Sequence, residues 1–259
     1  MERRKDKRIV ITGMGAVTPI GIGVRAYWEN LISGKSGIGP ITRFDTTDFP
    51  VKLAAEVKDF TPEDHGIPTK IASRMARFIQ YGYAAVGEAL QDSKYVVNPK
   101  RTGIVVGTAL NGTAEITEEQ RQISQRSSGK ASPFFIPKTM ANMAAAQISI
   151  AHRIRGCSYT LSTACASGDD AVGLAAMVLQ SGEMDAVFAV GCESVMDPVT
   201  IASLHASHVM VTGTDITQNC PFDLERKGFV LGEGGGALLL ETAEHAEARN
   251  APIYGELLG

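Results

Sequence analysis

Short runs of apolar residues alternate along the chain with longer stretches in which apolar residues recur at helical spacing. Continuous runs of Val, Ile and Leu are typical of strands that are buried on both faces of a sheet, and the longer pattern is typical of amphipathic helices. This alternation predicts α/β units around a largely parallel core sheet. The predicted strands are residues 8–12, 103–107, 159–162, 186–191 and 235–241, and the predicted helices are residues 73–90, 169–181 and 244–249.

Three irregular stretches separate these elements and are predicted to be loops. They are residues 34–50, which are rich in Gly, Pro and Thr, residues 121–137, which begin polar and end in Pro-Phe-Phe-Ile-Pro, and residues 212–223. None of them has the composition of a linker between independent domains, so we expect a single domain over residues 1–259.

Charge and hydropathy exclude several classes of protein. The 259 residues include 25 Lys and Arg against 28 Asp and Glu, a net charge of -3. Without a basic excess to neutralise phosphates, we expect no nucleic-acid partner. The charged N-terminus leads into the apolar run IVITGMG, which is too short to span a membrane and is not followed by a signal-peptide cleavage region. We therefore expect a cytoplasmic protein that does not associate with membranes.

Cysteine usage argues against disulfides and against a zinc site. The four cysteines form no CxxC pair and have no close histidine partner in the sequence. We therefore expect no structural metal and no disulfide framework. One reactive thiol among structural cysteines is the remaining chemical interpretation. The cysteines are Cys157, Cys165, Cys192 and Cys220.

Two glycine-rich segments are weak signals for nucleotide binding. Gly13 and Gly15 follow the first predicted strand, but Thr18 stands where a dinucleotide fingerprint requires a third glycine. A tight turn after the strand is therefore the favoured interpretation. Residues 232–236 (GEGGG) lack the Lys-Ser/Thr of a phosphate-binding loop, and close backbone packing before the last strand is favoured there.

The segment around Cys165 carries the strongest chemical signal. Residues 162–168 (STACASG) join a predicted buried strand to a helix of small residues. A cysteine at a helix start lies near unpaired N–H groups and the positive end of the dipole, and both favour the reactive thiolate. A nucleophile and a small buried structural cysteine are both compatible with this pattern. Asp169 and Asp170 would disfavour the thiolate if their carboxylates faced the sulfur.

The chain resembles the β-ketoacyl-acyl-carrier-protein synthases over its whole length. It is most similar to the elongating type II enzymes of bacterial fatty-acid synthesis, and the ketosynthases of type II polyketide pathways are a near second. The matching segments are residues 8–21 (RIVITGMGAVTPIG), Trp28 with residues 33–45, residues 77–85 (RFIQYGYAA), residues 132–149 (SPFFIPKTMANMAAAQIS), residues 162–168, residues 220–236 (CPFDLERKGFVLGEGGG) and residues 244–259.

This resemblance implies the N-terminal half of a thiolase-like fold, with a mixed, mainly parallel sheet and helices on both faces. It implies that Cys165 accepts an acyl group from acyl-carrier protein, with its backbone N–H as an oxyanion donor, before decarboxylative condensation with malonyl-carrier protein. Leu110 falls at a position that lines the acyl pocket. Phe135 falls where the family sends a side chain across a homodimer interface. No cofactor is implied, because the phosphopantetheine arm arrives on the carrier protein.

The resemblance also implies a second half, beyond Gly259, with two catalytic histidines, a lysine and a glycine-rich loop. A fragment, a split gene whose second half is supplied in trans, and a non-catalytic remnant are the three explanations. None of the five histidines stands in the family's catalytic contexts, although His205 and His208 share a helical spacing. The histidines are His65, His152, His205, His208 and His245.

Three functional hypotheses remain open on the sequence. The first is a condensing acyltransferase, or its N-terminal half, that acts through Cys165. The second is a non-catalytic subunit that shapes an acyl pocket for a partner, and the third is a hydrolase or dehydrogenase on an unrelated α/β fold. Ala76 and Lys227 stand where the family often has acidic residues, and Asp170 is more typical of polyketide ketosynthases, so the pathway is left open.

Overall fold

The computed structural model describes residues 7–125 and 130–259. Its strands are β1 (Ile9–Thr18), β2 (Gly21–Ile22), β3 (Gly39–Pro40), β4 (Leu53–Ala54), β5 (Thr102–Gly107), β6 (Ser158–Leu161), β7 (Ala186–Glu193), β8 (Gly234–Thr242) and β9 (Gly255–Leu257). Its α-helices are α1 (Val24–Ile32), α2 (Thr69–Ala72), α3 (Arg77–Ser93), α4 (Thr113–Gln125), α5 (Phe135–Thr139), α6 (Met143–His152), α7 (Ser167–Ser181), α8 (Pro198–Ala206) and α9 (Ala243–Ala248).

The main sheet has the strand order β2-β1-β8-β7-β5-β6, and β9 pairs with β1. The α/β class and the mixed sheet are confirmed, but the expectation of a mainly parallel sheet is wrong. Only the pairs β5–β6 and β5–β7 are parallel within the described residues, whereas β1–β2, β1–β8, β1–β9 and β7–β8 are antiparallel.

The reason for the antiparallel pairs that β8 makes lies in the connection after β7. Strands β1, β5, β6 and β7 all run in one direction, as the alternation of strands and helices predicts. The chain between Glu193 and Gly234, which are register partners, stays at one end of the sheet and includes α8. No helix crosses the sheet in this connection, so β8 returns antiparallel and inserts between β1 and β7.

Helices cover both faces of the sheet, as expected. Alternate side chains of β7 point to opposite faces: Phe188 and Val190 pack in the cluster with α3 and α6, and Val187 and Ala189 pack in the cluster with α7. The strands at the centre of the sheet are therefore apolar on both sides, which explains why their sequences are continuous apolar runs.

Strand β1 is longer than predicted, and the predicted turn at Gly13 and Gly15 is wrong. The strand continues through both glycines to Thr18, with a register shift against β8 between Ile11 and Gly13. A Cβ at Gly13 would overlap the carbonyl oxygen of Ala89, and one at Gly15 would overlap that of Ala85, both on α3. These glycines therefore let α3 lie directly on the strand.

The spacing of apolar residues along the sequence did not predict helices α4, α5 and α6. The predicted loop 121–137 contains the end of α4 and the start of α5, while its residues 126–129 lie outside the described residues. α6 (MAAAQISIAH) is apolar around most of its circumference, so its sequence shows no helical alternation. α5 is a short helix with a proline inside it, which hides its pattern.

Helix α3 begins four residues later than predicted, at Arg77, and its N-cap is Ala76. Ala76 has no side-chain oxygen to accept a hydrogen bond from the first turn. The Glu115 Oε1 atom on α4 accepts the Arg77 backbone N–H at 3.3 Å instead. The acidic residue that is absent at position 76 is thus replaced by a carboxylate from another helix, which joins α3 to α4.

A buried carboxylate fixes α9 against the sheet. Glu241 on β8 is completely buried and accepts hydrogen bonds from Arg249 at 2.9 Å, from His245 and from Thr12 of β1. Burial opposes ionisation of this carboxyl, but the hydrogen bonds from Arg249 and Thr12 outweigh it and lower the pKa of Glu241. The network ties the last helix to the two strands at the centre of the antiparallel region.

We expect Glu241→Ala to lower the free energy of unfolding by about 3–5 kcal/mol, because the substitution leaves a half-buried guanidinium unpaired. Urea denaturation followed by circular dichroism measures the change. Glu247→Ala, an exposed glutamate on the same helix, is the control and should stay within about 0.5 kcal/mol of the unsubstituted chain. Equal losses in the two variants would contradict the structural role of this network.

The same network predicts a pH dependence. Folding lowers the pKa of Glu241, so its contribution is complete above the ordinary glutamate range and is lost as pH falls through the folded-state pKa. Between neutral pH and acid, the unsubstituted chain should therefore lose more stability than Glu241→Gln does. Urea midpoints at several pH values test this sign.

Gly15→Ala should lower the free energy of unfolding by about 2–3 kcal/mol, because α3 must move away from β1 to admit a methyl group. Gly173→Ala in α7 is the matched control, since a Cβ there meets no atom within 4 Å. The control should be neutral or stabilising by up to about 1 kcal/mol. An unchanged urea midpoint for Gly15→Ala would contradict the close approach of α3.

Candidate active site

Cys165 lies in a sharp turn between β6 and α7. The preceding Ala164 has φ 56°, in the left-handed region that non-glycine residues rarely occupy. The Ser167 hydroxyl closes the turn: it accepts the Thr163 backbone N–H at 3.0 Å and donates to the Ala164 carbonyl at 2.6 Å. The turn holds the Cys165 side chain outward, and the residue is exposed.

The close approach of α7 to the sheet places this turn. A Cβ at Gly107, the last residue of β5, would overlap the carbonyl oxygen of Ser167, the first residue of α7. A Cβ at Gly191 on β7 would lie 3.5 Å from the Cα of Gly168. Because both neighbouring strands carry a glycine here, the start of α7 rests near the carboxyl ends of the parallel strands, and Cys165 lies just above them.

The Asp170 carboxylate accepts a hydrogen bond within the cysteine turn. Its Oδ2 accepts the Thr163 hydroxyl at 2.5 Å, so the carboxylate is bound to the residue two before Cys165. Asp169 and Asp170 are both exposed, in the first turn of α7. Water around these exposed carboxylates screens their charge.

A cavity of about 590 Å³ opens beside Cys165. Its walls come from the ends of β1, β5 and β7, from the start of β8 and from the cysteine turn. The lining residues that bear on the chemistry are Thr108, Ala109, Cys165, Cys192, Glu193 and Glu233. The structure thus places one exposed thiol and two carboxylates around a single space.

The remaining cysteines have the character that the sequence predicts. Burial, followed by the nearby Glu193 charge, raises the pKa of Cys192 far above its ordinary value, so this residue stays a thiol although it lines the cavity. Burial also raises the pKa of Cys157. Cys220 lies half-buried in a loop. Cys165 is the exposed member of the set, which favours it as the reactive thiol.

Glu193 and Glu233 were not singled out from the sequence. Glu193 Oε2 accepts the backbone N–H groups of Ala109 at 2.7 Å and Leu110 at 2.8 Å. Burial raises the pKa of Glu193, and the hydrogen bonds from Leu110 and Ala109 oppose that rise. Glu233 pairs with Arg43 at 2.7 Å and accepts the Ser194 hydroxyl at 2.6 Å. A single acidic residue at the end of a buried strand was the available signal for Glu193.

The two predicted substrate-binding residues lie in different places. Leu110 directly follows Ala109, which lines the Cys165 cavity, but Leu110 is not itself a lining residue there, and its residue surface is 45% exposed. Phe135 is half-buried at the start of α5 and lines a second cavity of about 670 Å³, together with Glu115, Lys138 and Asp197. Leu110 is thus next in sequence to a residue of the Cys165 cavity, whereas Phe135 lines a different cavity of the same chain.

The lining of the Cys165 cavity contains no histidine among the described residues. His205 lies in the last turn of α8, and His208 follows that helix with φ 58°. His152 is packed against Tyr83, and burial lowers the pKa of its imidazole. His245 binds Glu241. No histidine is therefore placed as a base for Cys165 in this part of the chain.

Residues 7–125 and 130–259 contain neither a candidate metal site nor a candidate membrane-spanning helix. No cluster of three or more His, Cys, Asp or Glu side chains has the arrangement of a metal site. No helix in these ranges is both long and apolar enough to cross a membrane.

Comparison with known proteins agrees with the geometry. The family model described as "Beta-ketoacyl synthase, N-terminal domain" matches residues 6–246. The chain is 40% identical over 259 residues to 3-oxoacyl-[acyl-carrier-protein] synthase 2 of Staphylococcus aureus strain COL, covering 98% of this chain and 62% of the relative. The protein of the same name from Vibrio cholerae serotype O1 is 40% identical, with the same coverage of each chain. The chain thus spans about 62% of the length of these curated relatives.

Solved structures show the same fold. The ishigamide ketosynthase/chain length factor superposes with a TM-score of 0.91 at 32% identity, over 98% of this chain and 63% of the other. A type II PKS acyl-carrier protein in complex with its ketosynthase, bound to the hexaketide, gives a TM-score of 0.84 at 28% identity, over the same shares of the two chains. The described residues have the thiolase-like ketosynthase fold, and the chain belongs to the beta-ketoacyl synthase family, of which it carries the N-terminal domain.

Proposed function

We propose that this chain carries the nucleophile-bearing part of a 3-oxoacyl-acyl-carrier-protein synthase and that Cys165 accepts the acyl group. The observation that carries the proposal is the exposed Cys165 thiol, held by the left-handed turn at Ala164 over a cavity at the strand ends. The match of the family model and the names of the curated relatives support it.

The proposed step is a thioester exchange. The Cys165 thiolate attacks the carbonyl carbon of an acyl group on the phosphopantetheine arm of acyl-carrier protein. A bond from Sγ to that carbon forms, the bond to the phosphopantetheine sulfur breaks, and that sulfur leaves as a thiolate that takes up a proton. The Cys165 backbone N–H is the proposed donor to the oxyanion. The exchange needs no metal or redox cofactor, because no electrons are transferred to or from the substrate.

Acyl-carrier protein is the proposed macromolecular substrate, and the cytoplasm is the proposed location. One of the similar solved structures is a ketosynthase complexed with an acyl-carrier protein, which supports this partner. Leu110, which directly follows the cavity-lining Ala109, is the proposed contact for the acyl chain. The surrounding cavity of about 590 Å³ is within the size range of small-molecule sites.

A homodimer is proposed as the assembled state. Strand β6 is the outer strand of the sheet next to β5, and Tyr159 on it has 48% of its surface exposed. An open strand edge with exposed aromatic surface is a site for pairing with another chain. A second copy at this edge would be the source of the Phe135 side chain that a single chain does not bring to its own Cys165.

Condensation places a further demand on the site. Loss of carbon dioxide from a malonyl thioester develops charge on an enolate oxygen, and donors such as histidines stabilise that charge. The described lining of the Cys165 cavity offers no histidine. This observation favours a second candidate function, a partner-dependent subunit that is acylated but needs groups from another polypeptide to condense.

Acylation should be visible by intact-protein mass spectrometry. After incubation with an acyl-carrier protein that carries a short acyl group, we expect the chain to gain the acyl mass, because an exposed thiol is the nucleophile. Cys165→Ser should abolish the gain, and the matched control Cys220→Ser should retain it. A gain that persists in Cys165→Ser, or no gain in the correctly folded unsubstituted chain, would overturn the proposal.

Condensation by this chain alone should be slower than by a full-length relative by a factor of about 10² or more, because each absent oxyanion donor costs about 10²–10³. The measurement is 3-oxoacyl-carrier-protein formation from the acylated chain and malonyl-carrier protein. Cys165→Ser gives the background rate. A rate that matches the full-length relative would eliminate the partner-dependent alternative.

A further inference from the structure

The connection between β5 and α4 is held by an unusual acceptor. Three donors converge on one oxygen, Glu193 Oε2: the Ala109 N–H at 2.7 Å, the Leu110 N–H at 2.8 Å and the Thr108 hydroxyl at 3.3 Å. The other oxygen, Oε1, is buried and has no hydrogen-bond partner among the described residues. All hydrogen bonds of this carboxyl within the described residues are therefore made by Oε2, which accepts two consecutive backbone N–H groups.

We propose that Glu193 is a positioning residue that fixes the backbone of Leu110 and thereby sets which acyl chains the Cys165 cavity admits. This inference rests on the proposed function, because Leu110 is the proposed contact for the acyl chain. Glu193 acts through Leu110 and takes no part in the bond changes at Cys165.

Leu110 is attached to the surrounding structure through its backbone. Its residue surface is 45% exposed. Glu193 accepts its N–H, and its carbonyl accepts the Thr113 hydroxyl at 2.7 Å. A side chain fixed mainly through its backbone follows any shift of that backbone.

The rest of the connection is pinned on both sides of Leu110. The Ala109 carbonyl accepts the Ser162 hydroxyl from the cysteine turn at 3.3 Å. On the other side, a Cβ at Gly112 would overlap the backbone of Thr139 at the end of α5. Glu193 is thus the anchor between the turn that bears Cys165 and the helix that bears Phe135, and loss of its acceptor frees the segment where the cavity rim is formed.

Burial of this carboxyl is costly, and its hydrogen bonds to the Ala109 and Leu110 N–H groups offset part of that cost. The segment that these bonds constrain includes Ala109, which lines the same cavity as Cys165.

The test compares Cys165 labelling by a short and a long thiol reagent. N-ethylmaleimide and N-octylmaleimide react with the full chain, and peptide mass spectrometry measures the rate at Cys165, with Cys165→Ser as the blank. Hydrogen–deuterium exchange measures the Ala109 and Leu110 amides in parallel. Neither readout requires acyl-carrier protein.

We expect Glu193→Ala to change the ratio of octyl to ethyl labelling rates by about tenfold, a typical effect of reshaping an apolar pocket. Exchange of the two amides should accelerate by about tenfold or more, since their acceptor is gone. Glu193→Gln keeps an acceptor oxygen and should restore both readouts to within about threefold. Glu183→Ala, an exposed glutamate before the other end of β7, is the matched control and should change neither.

If Glu193→Ala does not fold by circular dichroism, Glu193→Asp gives the same test, because its oxygen is set back by one methylene. A folded variant that leaves both the labelling ratio and the amide exchange unchanged would overturn the inference. Faster exchange with an unchanged ratio would also overturn it, because the anchor would then be structural only.

Transfer from acyl-carrier protein is measured separately on the same variants. If the unsubstituted chain takes no acyl group but Glu193→Ala changes both readouts as expected, the positioning role is supported and the proposed function is overturned. If the chain is acylated and Glu193→Ala changes neither readout, the proposed function stands and the positioning role is overturned.

Discussion

The direct contact between the start of α7 and the end of β5 is the constraint on which the rest of the site depends. Gly107 has no side chain, so the carbonyl of Ser167 lies against the strand. This leaves only a short segment to reverse the chain from β6 into α7, and Ala164 takes a left-handed conformation within it. The strained backbone holds Cys165 outward above the strand ends, so the position of a thiol is decided by the absence of a methyl group one strand away.

Buried carboxylates fix the segments that the regular elements do not hold. Glu193 accepts two N–H groups of the β5–α4 connection, Glu233 joins Arg43 and Ser194, and Glu241 joins α9 to the sheet. Each lies on or directly beside a buried strand, where desolvation makes an unpaired charge costly. Each carboxyl accepts a hydrogen bond from a distant part of the chain. Carboxyl groups that join segments far apart in the sequence are therefore a recurring feature of this domain.

The described groups around Cys165 meet the needs of the first stage of the proposed reaction, acyl exchange, but not those of the second, condensation. Acyl exchange requires a thiol that substrate can reach and one or two N–H donors, and the turn between β6 and α7 supplies the thiol. Condensation requires stabilisation of an enolate, and the described lining of the cavity has no histidine for this purpose. The chain belongs to the beta-ketoacyl synthase family and spans about 62% of the length of the curated relatives.

The sequence by itself determined the α/β class, the central strands and α7, and it singled out Cys165 as the candidate reactive thiol. Strands buried on both faces leave continuous apolar runs, and the STACASG segment places small residues on both sides of a cysteine, so local patterns are enough for these features. Only the tertiary structure decided the antiparallel insertion of β8, the continuation of β1 through Gly13 and Gly15, and the anchoring of Leu110 by Glu193. The physical reason is that each of these depends on contacts between residues far apart in the chain, about which hydrophobic periodicity carries no information.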